Sequence, residues 1–266
     1  MKESRFAQLL AEKKPALGCW ITLTDPGIAI ILANAGYDWV MVDTEHNPFT
    51  ETQVQGIIHA LRDTDVTPII RVRGNDPAHI KWVLDTGAGG IIIPVLDNAE
   101  DVLRAVQAAK YYPLGNRGYG PLRATDFWAH TKEYNARANK EILLICQVEC
   151  PGAVNEIEKI VQIDGLDGIW IGPGDLAHSM GHMGNVNHPD VQASIIRVIK
   201  AAIKHGKPWG IPVRTVEDML RYVRQGALLM TLGSDSFLLS SSSAQLAQAG
   251  LAAMAGAGLR KPKGDQ

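Results

Sequence analysis

Two acidic residues, each at the end of an apolar stretch, could bind a metal ion together. Glu149 ends the stretch 142–149, and Asp175 ends the stretch 168–175. If the two stretches are adjacent strands, the carboxylates converge, and they repel each other unless a cation lies between them. Carboxylate, water and substrate oxygens suit a divalent ion such as Mg²⁺ or Mn²⁺. In the alternative interpretation, each carboxylate caps the next helix or pairs with an arginine.

A candidate acid–base pair, Asp43 and His46, lies at the end of another apolar stretch. Asp43 could fix the tautomer of the His46 ring and raise its basicity, which suits a general base working near neutral pH. In the alternative interpretation, His46 caps a helix or lies in a loop. Glu45 lies between the two, and we expect it to pair instead with an arginine of the next stretch, Arg71 or Arg73.

Two further segments could bind negative charge on a substrate. Arg71 lies within an otherwise apolar stretch, where a guanidinium is costly unless a carboxylate or a substrate oxyanion accompanies it. The second segment has little side-chain bulk, so its backbone N–H groups could approach a bound carboxylate closely. It comprises Gly172, Pro173, Gly174 and Asp175.

Apolar stretches rich in Val and Ile alternate with longer segments of helical periodicity, which is typical of a parallel sheet covered by helices. The predicted strands are 16–23, 39–45, 67–73, 89–96, 142–149, 168–175, 208–213 and 228–235. The predicted helices are 26–35, 50–61, 77–85, 99–110, 152–161, 189–205, 216–224 and 236–251. Eight such pairs predict an α/β protein with a closed (β/α)8 barrel, the TIM barrel.

In this barrel, residues at the carboxyl ends of the strands face the active site. The polar residues described above all lie at such ends, so the prediction brings them into one cavity. The same argument adds three residues to the predicted substrate-binding site, which are Trp20, Gln147 and Val213.

The composition limits the classes of partner that the protein can have. A chain of 266 residues with 46% hydrophobic content can bury one large core, so we expect a single domain over 1–251 and a flexible tail over 252–266. The net charge of −2 leaves no basic face for nucleic acid or for a membrane surface. Because no apolar leader or membrane span is visible, we expect a cytoplasmic protein with a small-molecule substrate.

Three other features are assigned less specific roles. The segment 111–140 is longer than most αβ loops and is predicted to hold a small helix at 126–138, near a site or a partner subunit. His178 and His182 have the spacing of a helical metal pair, but the neighbouring glycines favour a loop. The cysteines Cys19, Cys146 and Cys150 lie in or beside apolar stretches and are predicted to be reduced core residues.

The motifs that carry these residues resemble those of the HpcH/HpaI aldolase family. In chain order they are Gly-Tyr-Asp-Trp at 36–39, Val-Asp-Thr-Glu-His at 42–46, Arg-Val at 71–72, Gln-Val-Glu at 147–149, and the segment 168–176. The resemblance extends from about Phe6 to Leu239. It implies a hexameric barrel, a trimer of dimers, in which the eighth barrel helix exchanges with a neighbouring subunit.

The resemblance also implies roles for the site residues. Glu149 and Asp175 would bind a divalent metal, Mg²⁺, Mn²⁺ or Co²⁺, and Arg71 would contact the carbonyl oxygen of pyruvate. His46 with Asp43 would supply the base, and the amides of Gly174 and Asp175 would hold the pyruvate carboxylate. The stretch 117–124 is shorter than in the family, and this part of the site faces the aldehyde, so the identity of the aldehyde stays open.

We therefore predict a class II pyruvate aldolase, which reversibly cleaves a 4-hydroxy-2-oxo acid to pyruvate and an aldehyde. The enolate formed in that reaction requires either a metal ion or a Schiff-base lysine, and no predicted strand interior contains a lysine. Three alternatives remain at this point. They are a related acyl-CoA lyase, a phosphosugar isomerase that binds phosphate near Gly233 and Ser234, and a catalytically silent binding protein.

Overall fold

The computed structural model describes residues 4–259, and its eight strands close into one parallel barrel. Each strand pairs with the next in the chain, and the last pairs with the first. This arrangement confirms the predicted (β/α)8 barrel. The strands are β1 (Ala16–Ile21), β2 (Trp39–Asp43), β3 (Thr67–Arg71), β4 (Gly90–Ile93), β5 (Leu143–Val148), β6 (Gly168–Ile171), β7 (Trp209–Val213) and β8 (Leu229–Ser234).

Helices follow the strands, and several begin where the sequence provides a cap. Asp25 and Asp76 each accept a hydrogen bond from a first-turn amide, and each precedes a proline whose missing N–H costs nothing at that position. The helices are α1 (Arg5–Ala11), α2 (Pro26–Asn34), α3 (Glu51–Ala60), α4 (Pro77–Asp85), α5 (Ala99–Ala109), α6 (Thr131–Glu141), α7 (Pro151–Asn155), α8 (Ile157–Ile160), α9 (Pro173–Ser179), α10 (Pro189–Lys204), α11 (Val216–Arg224) and α12 (Asp235–Gly256).

The strands are apolar on both faces because they separate two cores. Side chains from one face fill the barrel interior, and those from the other face pack against the helices. Helix α1 closes the amino-terminal end of the barrel, where Phe6 stacks on Trp39 with ring centroids 4.8 Å apart. The interior at that end is therefore fully packed, which leaves the carboxyl end for a polar site.

The segment 111–140 differs from the prediction in the position of its helix. Helix α6 begins at Thr131, five residues after the expected start at Asp126. The difference arises because Asp126, Phe127 and Trp128 have positive φ angles, of 55°, 55° and 73°, which a right-handed helix cannot contain. These residues form turns instead.

The chain beyond β8 also differs from the prediction. Helix α12 continues to Gly256, past the expected end at Leu251. Residues 260–266, which form the last part of the predicted flexible tail, lie outside the described residues. Between residues 4 and 259, no helix combines the length and the apolar character needed to cross a lipid bilayer.

Candidate active site

The carboxyl end of the barrel collects four of the polar residues that the sequence singled out. Asp43 and Arg71 end adjacent strands and are paired in register. Gln147 lies on β5 and Glu149 directly follows it. All four are nearly inaccessible to solvent, with exposed fractions between 1% and 6%. Charged groups buried to this degree must be paired with one another or with a ligand.

Arg71 is held between two carboxylates. Its Nε and Nη2 atoms each lie 2.9 Å from one oxygen of Asp43, which is a two-pronged contact. Its Nη1 atom lies 3.2 Å from Oε2 of Glu45, in an ion pair without hydrogen-bond geometry. The expected pairing of Glu45 with an arginine is thereby confirmed. The indole ring of Trp20 covers the guanidinium, with Cζ 4.5 Å from the ring centroid.

The predicted contact between Asp43 and the imidazole of His46 is wrong. Asp43 accepts hydrogen bonds from the backbone amides of Glu45 and His46 and from the side chain of Asn47, besides its contact with Arg71. These donors occupy both carboxylate oxygens and turn them away from the imidazole. The carboxylate beside the ring belongs to Glu45, whose Oε2 lies 3.7 Å from Nε2 of His46. The His46 side chain is 58% exposed at the rim of the cavity.

Both carboxylate oxygens of Glu149 accept hydrogen bonds. Its Oε1 accepts a 2.7 Å bond from the amide of Val95, and its Oε2 accepts one from the side-chain amide of Gln147. Burial raises the pKa of Glu149 and the charge of Asp175 adds to the rise, whereas the two hydrogen bonds oppose it. Oε1 of Gln147 is buried and has no hydrogen-bond partner among residues 4–259. The carboxylate of Glu149 and the unpartnered oxygen of Gln147 are oxygen donors of the kind that a divalent cation binds.

Asp175 reaches this region from a helix and not from a strand. Strand β6 ends at Ile171, and the chain then turns at Gly172 into the short helix α9, so the predicted strand 168–175 is too long. Asp175 is exposed in the first turn of that helix. A Cβ atom at Gly172 would lie 3.0 Å from Oε2 of Glu149, so only glycine lets α9 begin beside Glu149 without displacing it.

Val213 is the one predicted site residue that faces away from the cavity. Together with Trp209 and Ile211 it belongs to the core between the strands and the helices. Side chains alternate between the two faces of a strand, so Pro212 lies on the barrel side of β7. By the same alternation Arg214, the residue after the strand, falls on that side too. The assignment of Val213 to the substrate site is therefore wrong, because the register of β7 turns it outward.

The loop after β8 does not form a phosphate site. Asp235 is buried there, and its carboxylate accepts hydrogen bonds from the backbone amides of Thr22 and Leu23. The negative charge of this carboxylate, beside Gly233 and Ser234, would repel a phosphate. The arrangement argues against the phosphosugar alternative.

His182 contacts a different histidine from the one that the sequence suggested. It stacks on His188 with ring centroids 3.4 Å apart, and one side-chain ligand atom from each ring and from Asp190 lie within 4.8 Å of one another. Imidazole lone pairs lie in the ring plane, so two stacked rings cannot direct them at one ion. The cluster is a stacked pair with an acidic neighbour, and His178 is not part of it.

Sequence reasoning missed two residues of the site. Val95 has a φ angle of 55°, which is rare for a β-branched residue, and no sequence pattern indicates it. Thr231 is fully buried in the barrel and accepts a hydrogen bond from Trp20. Thr231 could have been found from the sequence, because it is a polar residue within the apolar stretch 228–233, just as Arg71 is a charged residue within an apolar stretch.

Comparison with known proteins identifies the group to which this barrel belongs. A family model described as HpcH/HpaI aldolase/citrate lyase matches residues 16–242. The chain belongs to this family. The 5-keto-4-deoxy-D-glucarate aldolase of Enterobacter sp. (strain 638) is 36% identical over 244 residues, which are 92% of this chain and 95% of the relative.

Solved structures of the family have the same barrel. An aldolase/citrate lyase family protein from Burkholderia cenocepacia J2315 is 32% identical, with a TM-score of 0.86 over 91% of this chain and 97% of the other. The citrate synthase SbnG is 31% identical, with a TM-score of 0.81 over 92% and 98% of the two chains. The predicted family and reaction class, an aldolase that acts as a metal-dependent carbon–carbon lyase, are thereby confirmed.

The charge cluster around Arg71 contains one carboxyl group with a strongly shifted pKa. Burial raises the pKa of Glu45 to about 7, although Arg71 opposes the shift. The negative charges of Glu149 and Asp43 contribute to the rise, and His46 counteracts it. Glu45 therefore exchanges a proton near neutral pH, in contact with both Arg71 and the His46 ring.

This shift makes stability depend on pH in metal-free protein. The folded state retains a proton on Glu45 that the unfolded chain loses above its ordinary pKa of 4.5, so the free energy of unfolding falls as pH rises from about 4.5 to about 7. In Glu45→Gln, the decrease in the free energy of unfolding over this pH range should be smaller by on the order of 2 kcal/mol. Urea unfolding of chelator-treated protein at pH 4.5, 6 and 7.5 measures it, with the exposed Glu51→Gln as the control. An unchanged pH dependence in Glu45→Gln would contradict the assignment.

Proposed function

We propose that this protein is a class II pyruvate aldolase that reversibly cleaves a 4-hydroxy-2-oxo acid to pyruvate and an aldehyde. The observation that carries the proposal is the juxtaposition of a buried, doubly paired Arg71 with the buried carboxylate of Glu149 at one end of the barrel. A cation site and a fixed guanidinium together match the two negative charges of a 2-oxo acid that is losing its C3–C4 bond.

The residues around Glu149 fit a divalent cation. Glu149 is buried with a raised pKa, Asp175 lies near enough to raise it further, and the carbonyl oxygen of Gln147 has no partner among the described residues. Oxygen donors of this kind suit Mg²⁺, Mn²⁺ or Co²⁺. When bound, the ion supplies Lewis-acid stabilisation of charge on the oxygens of the 2-oxo acid. Glu149 and Asp175 are the residues that would hold it.

Helix α9 offers a place for the substrate carboxylate. The amides of Gly174 and Asp175 belong to the first turn of this helix, where N–H groups have no acceptor within the helix. Pro173 precedes them at the first helical position and has no N–H of its own. We assign these two amides to the carboxylate of pyruvate, which places the rest of the 2-oxo acid between Glu149 and Arg71.

Arg71 stabilises the oxygen that becomes negative during cleavage. Two carboxylates and the Trp20 ring orient its guanidinium before substrate binds, so little reorganisation is needed when the enolate forms. The described strands contain no lysine that could form a Schiff base. Asp43 holds Arg71 in place and does not act on His46.

His46 is the base that we assign to the C4 hydroxyl. Its exposed ring lies at the rim of the cavity, where the aldehyde half of the substrate must lie. In cleavage it takes the hydroxyl proton, the C3–C4 bond breaks to release the aldehyde, and the bonding electrons pass to the enolate of pyruvate. Protonation of that enolate at C3 then gives pyruvate. Glu45 is the carboxylate that supports the protonated ring.

The first test concerns the metal ion. A chelator should abolish cleavage of a panel of 4-hydroxy-2-oxo acids, which includes 5-keto-4-deoxy-D-glucarate, and Mg²⁺, Mn²⁺ or Co²⁺ should restore it. Glu149→Gln should lose Mn²⁺ binding in calorimetric titration because Asp175 alone cannot hold the ion, whereas the exposed Glu133→Gln should bind it normally. Full activity in chelator, or a substrate adduct trapped by borohydride, would exclude the metal route.

The second test separates Arg71 from His46. Pyruvate has no C4 hydroxyl, so His46→Ala should impair cleavage but leave deuterium exchange into the pyruvate methyl group, followed by NMR. Arg71→Ala should slow both reactions by about 100-fold, as expected for an oxyanion donor. Arg71→Lys keeps the charge but not the planar donor geometry, so it should recover only part of the loss. Wild-type exchange in Arg71→Ala would show that this role is wrong.

We also propose that α12 exchanges between subunits of a hexamer, a trimer of dimers. Asp235 is the only buried residue that this 22-residue helix contributes, although its sequence includes several large apolar residues. Those left exposed are Phe237, Leu238, Leu239, Leu246 and Met254. A single chain does not cover them, and a neighbouring barrel of the same kind could.

Sedimentation equilibrium tests this assembly. The intact protein should sediment as a particle of six 28.8 kDa chains. Leu239→Glu together with Leu246→Glu places charges on the exposed face of α12 and should give smaller particles, whereas Gln245→Glu on the same helix is the control. A monomeric wild-type protein would contradict the proposal.

The cytoplasm is the location that we propose for the enzyme. Its three cysteines are all unpaired thiols, which is the usual state in a reducing compartment.

A further inference from the structure

Thr231 is a buried hydroxyl in an otherwise apolar layer of the barrel. Its side chain is fully buried on β8, and the apolar cluster inside the barrel includes Met41, Ile69 and Trp170. Its Oγ1 accepts a 2.8 Å hydrogen bond from Nε1 of Trp20, which lies 211 residues away in the chain. A polar side chain in such a layer is costly unless it satisfies a partner.

The partner of Thr231 is the ring that covers Arg71. Trp20 is only partly buried, and its indole contacts Trp170 at a centroid distance of 6.4 Å and the Arg71 guanidinium at 4.5 Å. Torsion about the bond to an aromatic ring is broad, so packing alone does not select one orientation of a half-buried indole. The hydrogen bond to Thr231 does select one, because only that orientation directs Nε1 at Oγ1.

The backbone where β1 pairs with β8 is also fixed. Gly18 pairs with Thr231 but Trp20 pairs with Ser234, so β8 contains an extra residue opposite β1. Beyond it, the Asp235 carboxylate accepts hydrogen bonds from the amides of Thr22 and Leu23. The main chain of Trp20 is therefore anchored, and the orientation of its ring is the remaining freedom.

We propose that Thr231 is a positioning residue for the aldol reaction: its hydroxyl orients Trp20 so that the face of the indole holds the Arg71 guanidinium in line with the substrate oxyanion. The negative face of an aromatic ring attracts a guanidinium that lies over it. With Cζ over the ring, the guanidinium still directs Nε and Nη2 at Asp43 and Nη1 at Glu45, and its remaining N–H groups are left for the substrate. The inference rests on the role proposed above for Arg71.

Variants at Thr231 and Trp20 test the inference. Thr231→Val keeps the shape but removes the hydroxyl, and it should lower kcat for cleavage and the rate of pyruvate methyl exchange by about 3- to 10-fold, with KM nearly unchanged. Thr231→Ser keeps the hydroxyl and should retain wild-type rates. Thr231→Ala is a second hydroxyl-free variant in case valine disturbs folding, which circular dichroism and the melting temperature report.

A double-mutant cycle separates positioning from simple packing. Trp20→Phe keeps a ring over Arg71 but has no N–H, so it should lower kcat at least as much as Thr231→Val. In the Trp20→Phe background, Thr231→Val should cause less than about a 2-fold further loss, since the hydrogen bond is already absent. Additive losses, an impaired Thr231→Ser, an unchanged kcat in Trp20→Phe, or a change in KM alone would each overturn the inference.

The same measurements distinguish this inference from the proposed function. If wild-type protein shows no metal-dependent cleavage and no methyl exchange, the proposed function is wrong. If wild-type protein shows both but the cycle is additive, the aldolase stands and only the role of Thr231 is overturned.

Discussion

A guanidinium buried between two carboxylates is the interaction on which the rest of the site depends. Burying Arg71 to an exposed fraction of 4% would be unfavourable without Asp43 and Glu45, because the cost of desolvating an ion in a protein interior is several kcal/mol. Loss of Arg71 would leave buried carboxylates without their counter-charge, at a cost of about 3–5 kcal/mol. The cluster therefore ties the ends of β2 and β3 together at the register Asp43↔Arg71.

This cluster carries more negative than positive charge, and that imbalance has a chemical consequence. Asp43 and Glu45 face one arginine, and Glu149 adds a third carboxyl group close enough to raise the pKa of Glu45. A surplus of negative charge in a buried cavity favours either a bound cation or retained protons. A cation bound at the proposed metal site would neutralise part of this negative charge. The proton that Glu45 retains because of its raised pKa neutralises another part. Cation binding and the protonation of Glu45 are therefore linked, because both depend on the same group of carboxylates.

The barrel supplies the rigidity that such a cluster requires. Its interior is filled from the amino-terminal end by aromatic and branched side chains, with Phe6 of α1 stacked on Trp39, so the polar groups can gather only at the carboxyl end. The catalytic candidates come from the carboxyl ends of β2, β3 and β5 and from helix α9, which follows β6. Small displacements of one strand are therefore resisted by its two neighbours, which preserves the distances that oxyanion stabilisation needs.

Much of this protein was predictable from its sequence, because local patterns report local physics. The continuous apolar stretches predicted all eight strands, and Asp–Pro pairs predicted where α2 and α4 begin. Arg71, Glu149 and Gln147 were visible as polar residues at the ends of apolar stretches, and the motifs around them indicated the family. Hydrophobic patterns and helix caps depend on neighbours in the chain, so the elements they indicate can be predicted without the fold.

The pairing of the side chains was decided by the tertiary structure alone. The sequence predicted that Asp43 contacts His46, but Asp43 binds Arg71 because both of its oxygens meet the guanidinium across the β2–β3 register, which leaves Glu45 beside His46. The outward direction of Val213, the left-handed backbone of Val95 and the contact between Trp20 and Thr231 likewise depend on strand register and on donors far away in the chain. Sequence patterns list the groups that can interact, but competition among donors for one acceptor is settled only by distances in the folded barrel.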